Sequence, residues 1–458
     1  MINSIEELFL GYLKVLYLSI GAVLLTSCAT KKIVIATDEK IIKPMPVKVQ
    51  QIQQEKRVSS SYQLNQRERD FMDILKDDRY LSLCSSKSLY KQILLMPNGQ
   101  EKSQALKELF VTYTKNLANG CIDIRDMKHQ LAKRRAQKIK SHYEISLEHI
   151  NKKQLLAEYA NPNITIKDIF NPYLPKEPQY AKLVNYFHKK GYLLSRDYKR
   201  RLRLNIERFK LMKPLRGGDF IELNIPTYSF DFYRNKRVVM HFGTVVGDFE
   251  NQTPVLSSKL SYFIVNPAWN IPDSIAKKTI IPRMLKDKRY LHKKGIVIHK
   301  NYHLSSKKFR QQDIHWKRYL KENVHYIPYK FIQLPSKTNG LGRVKFIFAN
   351  KYAVYMHDTI GKWRFKIPKQ KIRAVSHGCV RLQNPLALMK YITIYYTPKS
   401  YATVRKYYDS HEMHVVHLSR RIPLFITYIT TSIDAKNKIH FYKDIYGYDT
   451  LQKLNFSL

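Results

Sequence analysis

The sequence predicts an α+β protein, with a helical N-terminal region followed by a mainly β domain. Leu106, Leu109, Phe110, Tyr113 and Leu117 recur at i, i+3, i+4, i+7 and i+11, one stripe of an amphipathic helix, and Gly120 follows as a C-terminal cap. After Gly217-Gly218 the period shortens to that of strands: short β-branched and aromatic runs bounded by turn residues. A single helix start stands among them at Asn384-Pro385, a cap followed by proline at the first helical position.

At 458 residues the chain is long enough for two or three domains. Residues 1–28 bear on its destination. Lys14 precedes an apolar run from Val15 to Leu25, the length of a secretory signal core and too short for a comfortable membrane span. The run closes on Leu25-Thr26-Ser27-Cys28, which resembles the lipobox of bacterial lipoproteins, where the cysteine is lipidated and becomes the new N-terminus. A cleaved lipoprotein signal is the first reading and an uncleaved anchor the second. By the same resemblance, Ala29 after Cys28 implies a periplasmic protein held at the outer membrane. Residues 29–57 are polar, rich in Lys and Gln, and read as a tether.

From 58 to 212 the pattern is helical, and Leu202, Ile206 and Phe209 repeat the stripe near its end. Lys133-Arg134-Arg135 reads as a solvated helix face. From 213 onward Phe220–Ile225, Arg237–Phe242, Leu260–Val265, Arg343–Phe348, Tyr352–Tyr355, Leu424–Ile429 and Ile439–Tyr442 read as strands. The helix opening at Pro385 continues through Leu386, Met389 and Ile392, so Cys379 falls in the loop between a strand and a helix. Loops on a rigid scaffold are where reactive groups usually sit.

That loop, Ser376-His377-Gly378-Cys379, with Met356-His357-Asp358-Thr359 upstream, holds the parts of a cysteine acyl-transfer site. The thiolate is the nucleophile, and a free thiol with a pKa of about 8.5 needs a base to take its proton. Gly378 lets the backbone turn and aim N–H groups at a developing oxyanion. The alternative is a small buried hydrophobe beside ordinary histidines.

The chain has four cysteines. With Cys28 lipidated and Cys379 reactive, Cys84 and Cys121 are left as a possible disulfide in an oxidising compartment, contributing roughly 3 to 4 kcal/mol. There is no Cys-x-x-Cys and no His-Glu-x-x-His, so no metal site and no cofactor is expected. The formal charge of +45 would favour polyanions. It is dispersed along the chain and accompanies no nucleic-acid recognition motif, so nucleic acid is not an expected partner.

His357, a spacer and Ser376-His377-Gly378-Cys379 together resemble the signature of the L,D-transpeptidase (YkuD) catalytic domain family. Asn266-Pro267-Ala268-Trp269-Asn270-Ile271-Pro272, Gly342-Arg343-Val344-Lys345-Phe346, Val354-Tyr355-Met356-His357-Asp358-Thr359 and Asp444-Ile445-Tyr446-Gly447-Tyr448-Asp449 are similar to the large Gram-negative members. The likeness runs from roughly 215 to 450. It implies a mainly β L,D-transpeptidase domain over 213–458, with 284–340 as a lid over its cleft. The eighteen residues between His357 and Ser376, with the basic insert Lys366-Ile367-Pro368-Lys369-Gln370-Lys371, slightly exceed the usual spacing, and Ile360 replaces a common proline.

The resemblance implies acyl transfer on peptidoglycan stem peptides, with membrane attachment through the N-terminal lipid. Cys379 would attack a diamino-acid carbonyl, expel D-alanine and hold a thioester that a second diaminopimelate amine resolves. His357 matches the family's base. His377 would shape the loop, and the N–H groups of His377, Gly378 and Cys379 would form the oxyanion hole. The Asp358 carboxylate would orient an imidazole or be a solvated loop residue or a cap, Arg381 would bind a stem carboxylate or form a structural ion pair, and Ser376 and Tyr355 would support the site. The rival readings are an L,D-carboxypeptidase with water as acceptor and a non-catalytic wall-binding lipoprotein. Adduction of Cys379 by carbapenems is a further expectation.

Overall fold

A computed structural model describes residues 63–212, 218–235, 237–324, 326–368 and 373–458. The signal, Cys28 and the tether lie outside the described residues, as does part of the basic insert. The architecture is α+β, helical first and β-rich after residue 218.

The expected stripe forms the helix Gln100–Asn119, whose Leu106, Leu109, Phe110, Tyr113 and Leu117 are fully buried. They pack on Phe71, Ile74 and Phe170 from the helices Gln66–Lys76 and Ile166–Phe170. Gly120 ends the helix at φ +68, where a Cβ would meet the Glu207 carbonyl at 2.8 Å. Cys84 and Cys121 are joined by a disulfide with Cα atoms 6.3 Å apart. Among the described residues, these two sulfurs and Glu207 are the one cluster of metal-ligand types, but bonded sulfurs are not thiolate ligands. Glu207 instead accepts the Cys121 N–H at 2.8 Å and pairs with Arg203 at 2.6 Å, docking the helix Arg196–Leu211 against the bridge.

That helix ends at Leu211, close to the expected limit of the helical region, but does not close a core of its own. Leu204 and Leu211, with Ile122, Met127 and Leu131, belong to the same hydrophobic core as the β domain. Arg208, fully buried, pairs with Asp449 at 2.8 Å and donates to Gln452 at 2.7 Å. The helical and β regions therefore share a core, and the C-terminal Asp444–Asp449 motif is part of the joint.

The β domain contains β1 (Phe220–Asn224), β2 (Ser229–Arg234), β3 (Arg237–Gly247), β4 (Leu256–Val265), a four-stranded insertion β5 to β8, then β9 (Val344–Phe348), β10 (Met356–His357), β11 (Ala374–Ser376), β12 (Val380–Leu382) and β13 (His414–Thr427). The main sheet runs β11-β3-β12-β10-β9-β4-β13-β1-β2, and β2 also pairs with β3, so the ring of pairings closes. Closure leaves few free edges. Two helices follow β12, Pro385–Tyr396 and Tyr401–Asp409, where one was expected. Tyr352–Tyr355 is not a strand. Asn350 accepts from the N–H groups of Tyr352 and Val354 and folds the segment into a turn with Ala353 at φ +55.

The insertion begins earlier than the expected residue 284. Its strands β5 (Trp269–Ile271), β6 (Ile296–His299), β7 (Lys308–Phe309) and β8 (Lys330–Gln333) pair in the order β5-β8-β6-β7 over a separate core of Ile281, Met284, Ile298, Trp316 and Phe331. Buried asparagines fix both of its ends. Asn266 donates to the carbonyls of Tyr407, Tyr408 and Glu412, and Asn339 to those of Pro267, Gln333 and Leu334.

Glu222 on β1 faces Asp231 on β2, and burial, then Glu177 and Asp231, push its carboxyl up from 4.5 to about 8. Burial likewise raises Glu177 to about 7. A carboxyl whose folded pKa is raised binds protons more tightly in the fold, so its contribution is present below about 4.5 and lost as pH rises towards 8. The melting temperature is expected to fall between pH 5 and pH 8 by more in the wild type than in Glu222→Gln, measured by calorimetry.

Candidate active site

Strand register builds the site. β10 runs parallel to β12 with Met356 opposite Val380 and His357 opposite Arg381, and antiparallel to β9 with Met356 opposite Phe346 and His357 opposite Lys345. Met356, Val380 and Phe346 are fully buried, so they define the core face. Side chains alternate along a strand. The other face therefore carries His357, Arg381 and Lys345, with Tyr355 and Cys379 one alternation earlier.

All five line a cavity of about 1060 Å³ between this face and the insertion, which contributes Trp269, Ser274, Arg283, Tyr290 and Tyr302. The cationic groups on its walls are Lys140, Arg283, Lys345, Arg364 and Arg381, and the cavity lining includes no carboxylate residue among the described residues.

Cys379 is the free cysteine among the described residues, half-buried, with its Sγ 4.0 Å from the Ala353 carbonyl. Burial pushes its thiol up, while Tyr355, Lys345 and Arg381 pull it back. His357 is buried, and its Nδ1 contacts the backbone carbonyl of Asp358. A carbonyl only accepts, so Nδ1 carries the hydrogen in this contact, and the Leu341 backbone also hydrogen-bonds the ring. Burial first and the Arg381 charge second hold this imidazole down at about 3, so it is neutral at physiological pH.

Of the roles open to Asp358, its carboxylate takes that of a loop cap and not that of orienting the imidazole. Its backbone carbonyl does the latter, while the carboxylate accepts from the N–H groups of Arg343 at 2.9 Å and Thr359 at 2.7 Å and pairs with Lys362 at 2.6 Å. It fits there because Gly342 has no Cβ, which would stand 2.4 Å from the carboxyl carbon.

The loop before Cys379 is held by Ser376, whose Oγ donates to the Cys379 carbonyl at 2.6 Å and accepts from the Gly378 N–H at 3.2 Å. The Gly378 N–H is thus occupied inside the turn, and of the three expected oxyanion donors those of His377 and Cys379 are left. Gly378 takes φ +105, a conformation open to glycine. The His377 ring is exposed. For Arg381, the charges that act on it are Arg364 and the Cys379 thiolate, so the carboxylate partner of a structural ion pair is not among them.

Three supports were not singled out from sequence. Thr253 Oγ1 donates to the Gly378 carbonyl at 2.8 Å. Tyr446, from the C-terminal motif, donates to the Gly247 carbonyl at 2.7 Å and accepts the Thr253 N–H at 3.1 Å. Lys345 lies in a quoted motif, but only the pairing of β9 with β10 brings it opposite His357.

Residues 218–405 match the family model for the L,D-transpeptidase catalytic domain (YkuD). A curated protein of Haemophilus influenzae, provisionally named L,D-transpeptidase, is 28% identical over 267 residues, covering 56% of this chain and 50% of its own length. The chain thus spans about half the length of that curated relative. Among solved structures, an L,D-transpeptidase from Mycobacterium smegmatis is 13% identical over 46% of this chain and 58% of its own, with a TM-score of 0.20. A cysteine-to-serine variant of the Enterococcus faecium L,D-transpeptidase is 12% identical over 58% and 94%, with a TM-score of 0.18.

Proposed function

We propose, from the premise that residues 218–405 form an L,D-transpeptidase catalytic domain, that this chain forms diaminopimelate–diaminopimelate cross-links in peptidoglycan through a thioester on Cys379. The observation that carries the reading is the shared face of Cys379 and a neutral, buried His357, opening on one cavity. Cys379 gives its proton to His357 Nε2 as sulfur bonds to the donor carbonyl carbon. The N–H groups of His377 and Cys379 receive the oxyanion. The carbon–nitrogen bond to D-alanine then breaks, and its amine takes the proton from Nε2. In the second half an acceptor amine attacks the thioester, passes its proton through the same nitrogen, and the thiol returns.

The insertion covers the cleft and favours an amine over water as acceptor. Hydrolysis at the same thioester would make the chain an L,D-carboxypeptidase. Mass spectrometry after incubation of the purified protein with disaccharide-tetrapeptide separates the two. Cross-linked dimers are the expected product, tripeptide monomers would favour the carboxypeptidase, and unchanged substrate would overturn both and leave a wall-binding lipoprotein. The proposed place is the periplasm, with a lipid on Cys28 at the outer membrane. The Cys84–Cys121 disulfide is consistent with an oxidising compartment.

The cationic walls suit a donor with free carboxylates. An Arg381 fork on one of them would contribute about 1.5 to 3 kcal/mol as a charge-assisted hydrogen bond. Arg381→Met is expected to raise KM for a free-acid tetrapeptide about 10- to 100-fold, and to leave KM for its amidated counterpart nearly unchanged. Equal losses on both substrates would rule out the carboxylate contact.

A further inference from the structure

We propose that Lys345 is the counter-ion of the Cys379 thiolate, with the Tyr355 hydroxyl as the hydrogen-bond donor that completes its cradle. The inference rests on Cys379 being the nucleophile, and deepens that reading by naming what stabilises the charged sulfur.

Lys345 sits on β9 opposite His357, on the face that carries Cys379. Its Nζ lies 3.9 Å from the centroid of the Tyr355 ring. The side chain is half-buried, burial lowers its pKa, and the opposite charge acting on it is the Cys379 thiolate. A half-buried ammonium is costly unless something nearby carries negative charge. Here the thiolate formed in the reaction supplies it.

Tyr355 supplies direction. Tyr355 lines the cavity together with Cys379 and Trp269, and both of these act on its hydroxyl. Indole N–H only donates, so the tyrosine oxygen accepts from Trp269 and its own hydrogen is free to point at sulfur. Trp269 opens the insertion, so this cradle is assembled only with the insertion in place. Burial keeps the phenol protonated, as a donor must be.

The other groups facing the sulfur do not replace Lys345. His357 is neutral, and Arg381 shares its influence with Arg364 and that imidazole. Tyr302 acts on Tyr355, and the His377 ring is exposed at the cavity edge.

The test is the pH dependence of iodoacetamide alkylation at Cys379, followed in the full chain by peptide mapping. Lys345→Met is expected to move the midpoint up by about one unit, a tenfold loss of thiolate near neutrality. Lys345→Arg restores most of it, and Tyr355→Phe gives a smaller upward shift. Circular dichroism establishes that each variant is folded, and if Lys345→Met is not, Lys345→Gln takes its place. A midpoint unchanged in folded Lys345→Met or Lys345→Gln overturns the proposal. A shifted midpoint in a protein that makes no Cys379-dependent product from disaccharide-tetrapeptide would instead overturn the proposed function and leave the counter-ion standing.

Discussion

In His357→Ala, thioester formation at Cys379 is expected to fall by about 10²- to 10⁴-fold, the usual yield of a positioned general base. His377→Ala should lose far less, because that ring is exposed while the loop is held by Ser376 and Thr253. Intact-mass kinetics of acylation with a tetrapeptide donor or a carbapenem measure both. Equal rates in wild type and His357→Ala would remove His357 from the mechanism. The pH profile adds a second check. With the ring held neutral down to about 3 and the thiol raised, acylation should show no acid limb near 6.5 and should keep rising above neutrality. The same depressed pKa has a stability sign: the folded ring binds protons less well than the unfolded one. Its contribution is present above about 6.5 and lost as pH falls towards 3.

The readable parts of this fold and site were those written in local pattern. The stripe on Gln100–Asn119 is set by helical spacing, and most strands by β-branched runs between turn residues. Cys379 and His357 stood out as the proposed nucleophile and base only through the resemblance of His357, a spacer and Ser376-His377-Gly378-Cys379 to the family signature, since the four residues alone equally allow a small buried cysteine beside ordinary histidines. What was hidden depends on pairing between distant segments. Lys345 looks like any lysine on an alternating strand until β9 is set beside β10. Tyr352–Tyr355 has the composition of a strand, yet Asn350 hydrogen bonds turn it into a loop, and composition cannot report that competition. For Asp358 a triad-like role and a cap stood side by side in the sequence, and the structure gives the cap to its carboxylate, which fills the space over Gly342, and the imidazole contact to its carbonyl. The helical region read as a separate domain because its own stripes are complete. Only the buried Arg208–Asp449 pair and the shared core reveal that it is joined to the β domain.

Gly247→Ala is expected to cost about 3 kcal/mol or more and to abolish acylation in whatever fraction stays folded. A Cβ on Gly247 would stand 2.0 Å from the Asn251 carbonyl oxygen and 2.7 Å from the Thr253 nitrogen. Both are backbone atoms, so no rotamer change relieves the contact, and the 251–253 segment must move. That segment is the support of the reactive loop. The Gly247 N–H donates to Thr253 Oγ1 at 2.9 Å, and the same hydroxyl donates to the Gly378 carbonyl. Tyr446 ties Gly247 to Thr253 from below, and Gly247 is the register partner of Ser376. Displacing 251–253 therefore removes the fixed point from which Gly378 turns and Cys379 is aimed. Two other glycines calibrate the measurement. Gly99→Ala meets nothing within 4 Å and should be nearly neutral. Gly295→Ala, at φ +59 with open space around it, should show the backbone penalty alone, about 1 kcal/mol. Chemical denaturation gives the three stabilities, and intact-mass acylation under native conditions gives the activity of each. A Gly247→Ala protein as stable and as readily acylated as Gly99→Ala would mean that the 251–253 segment does not hold the nucleophile loop.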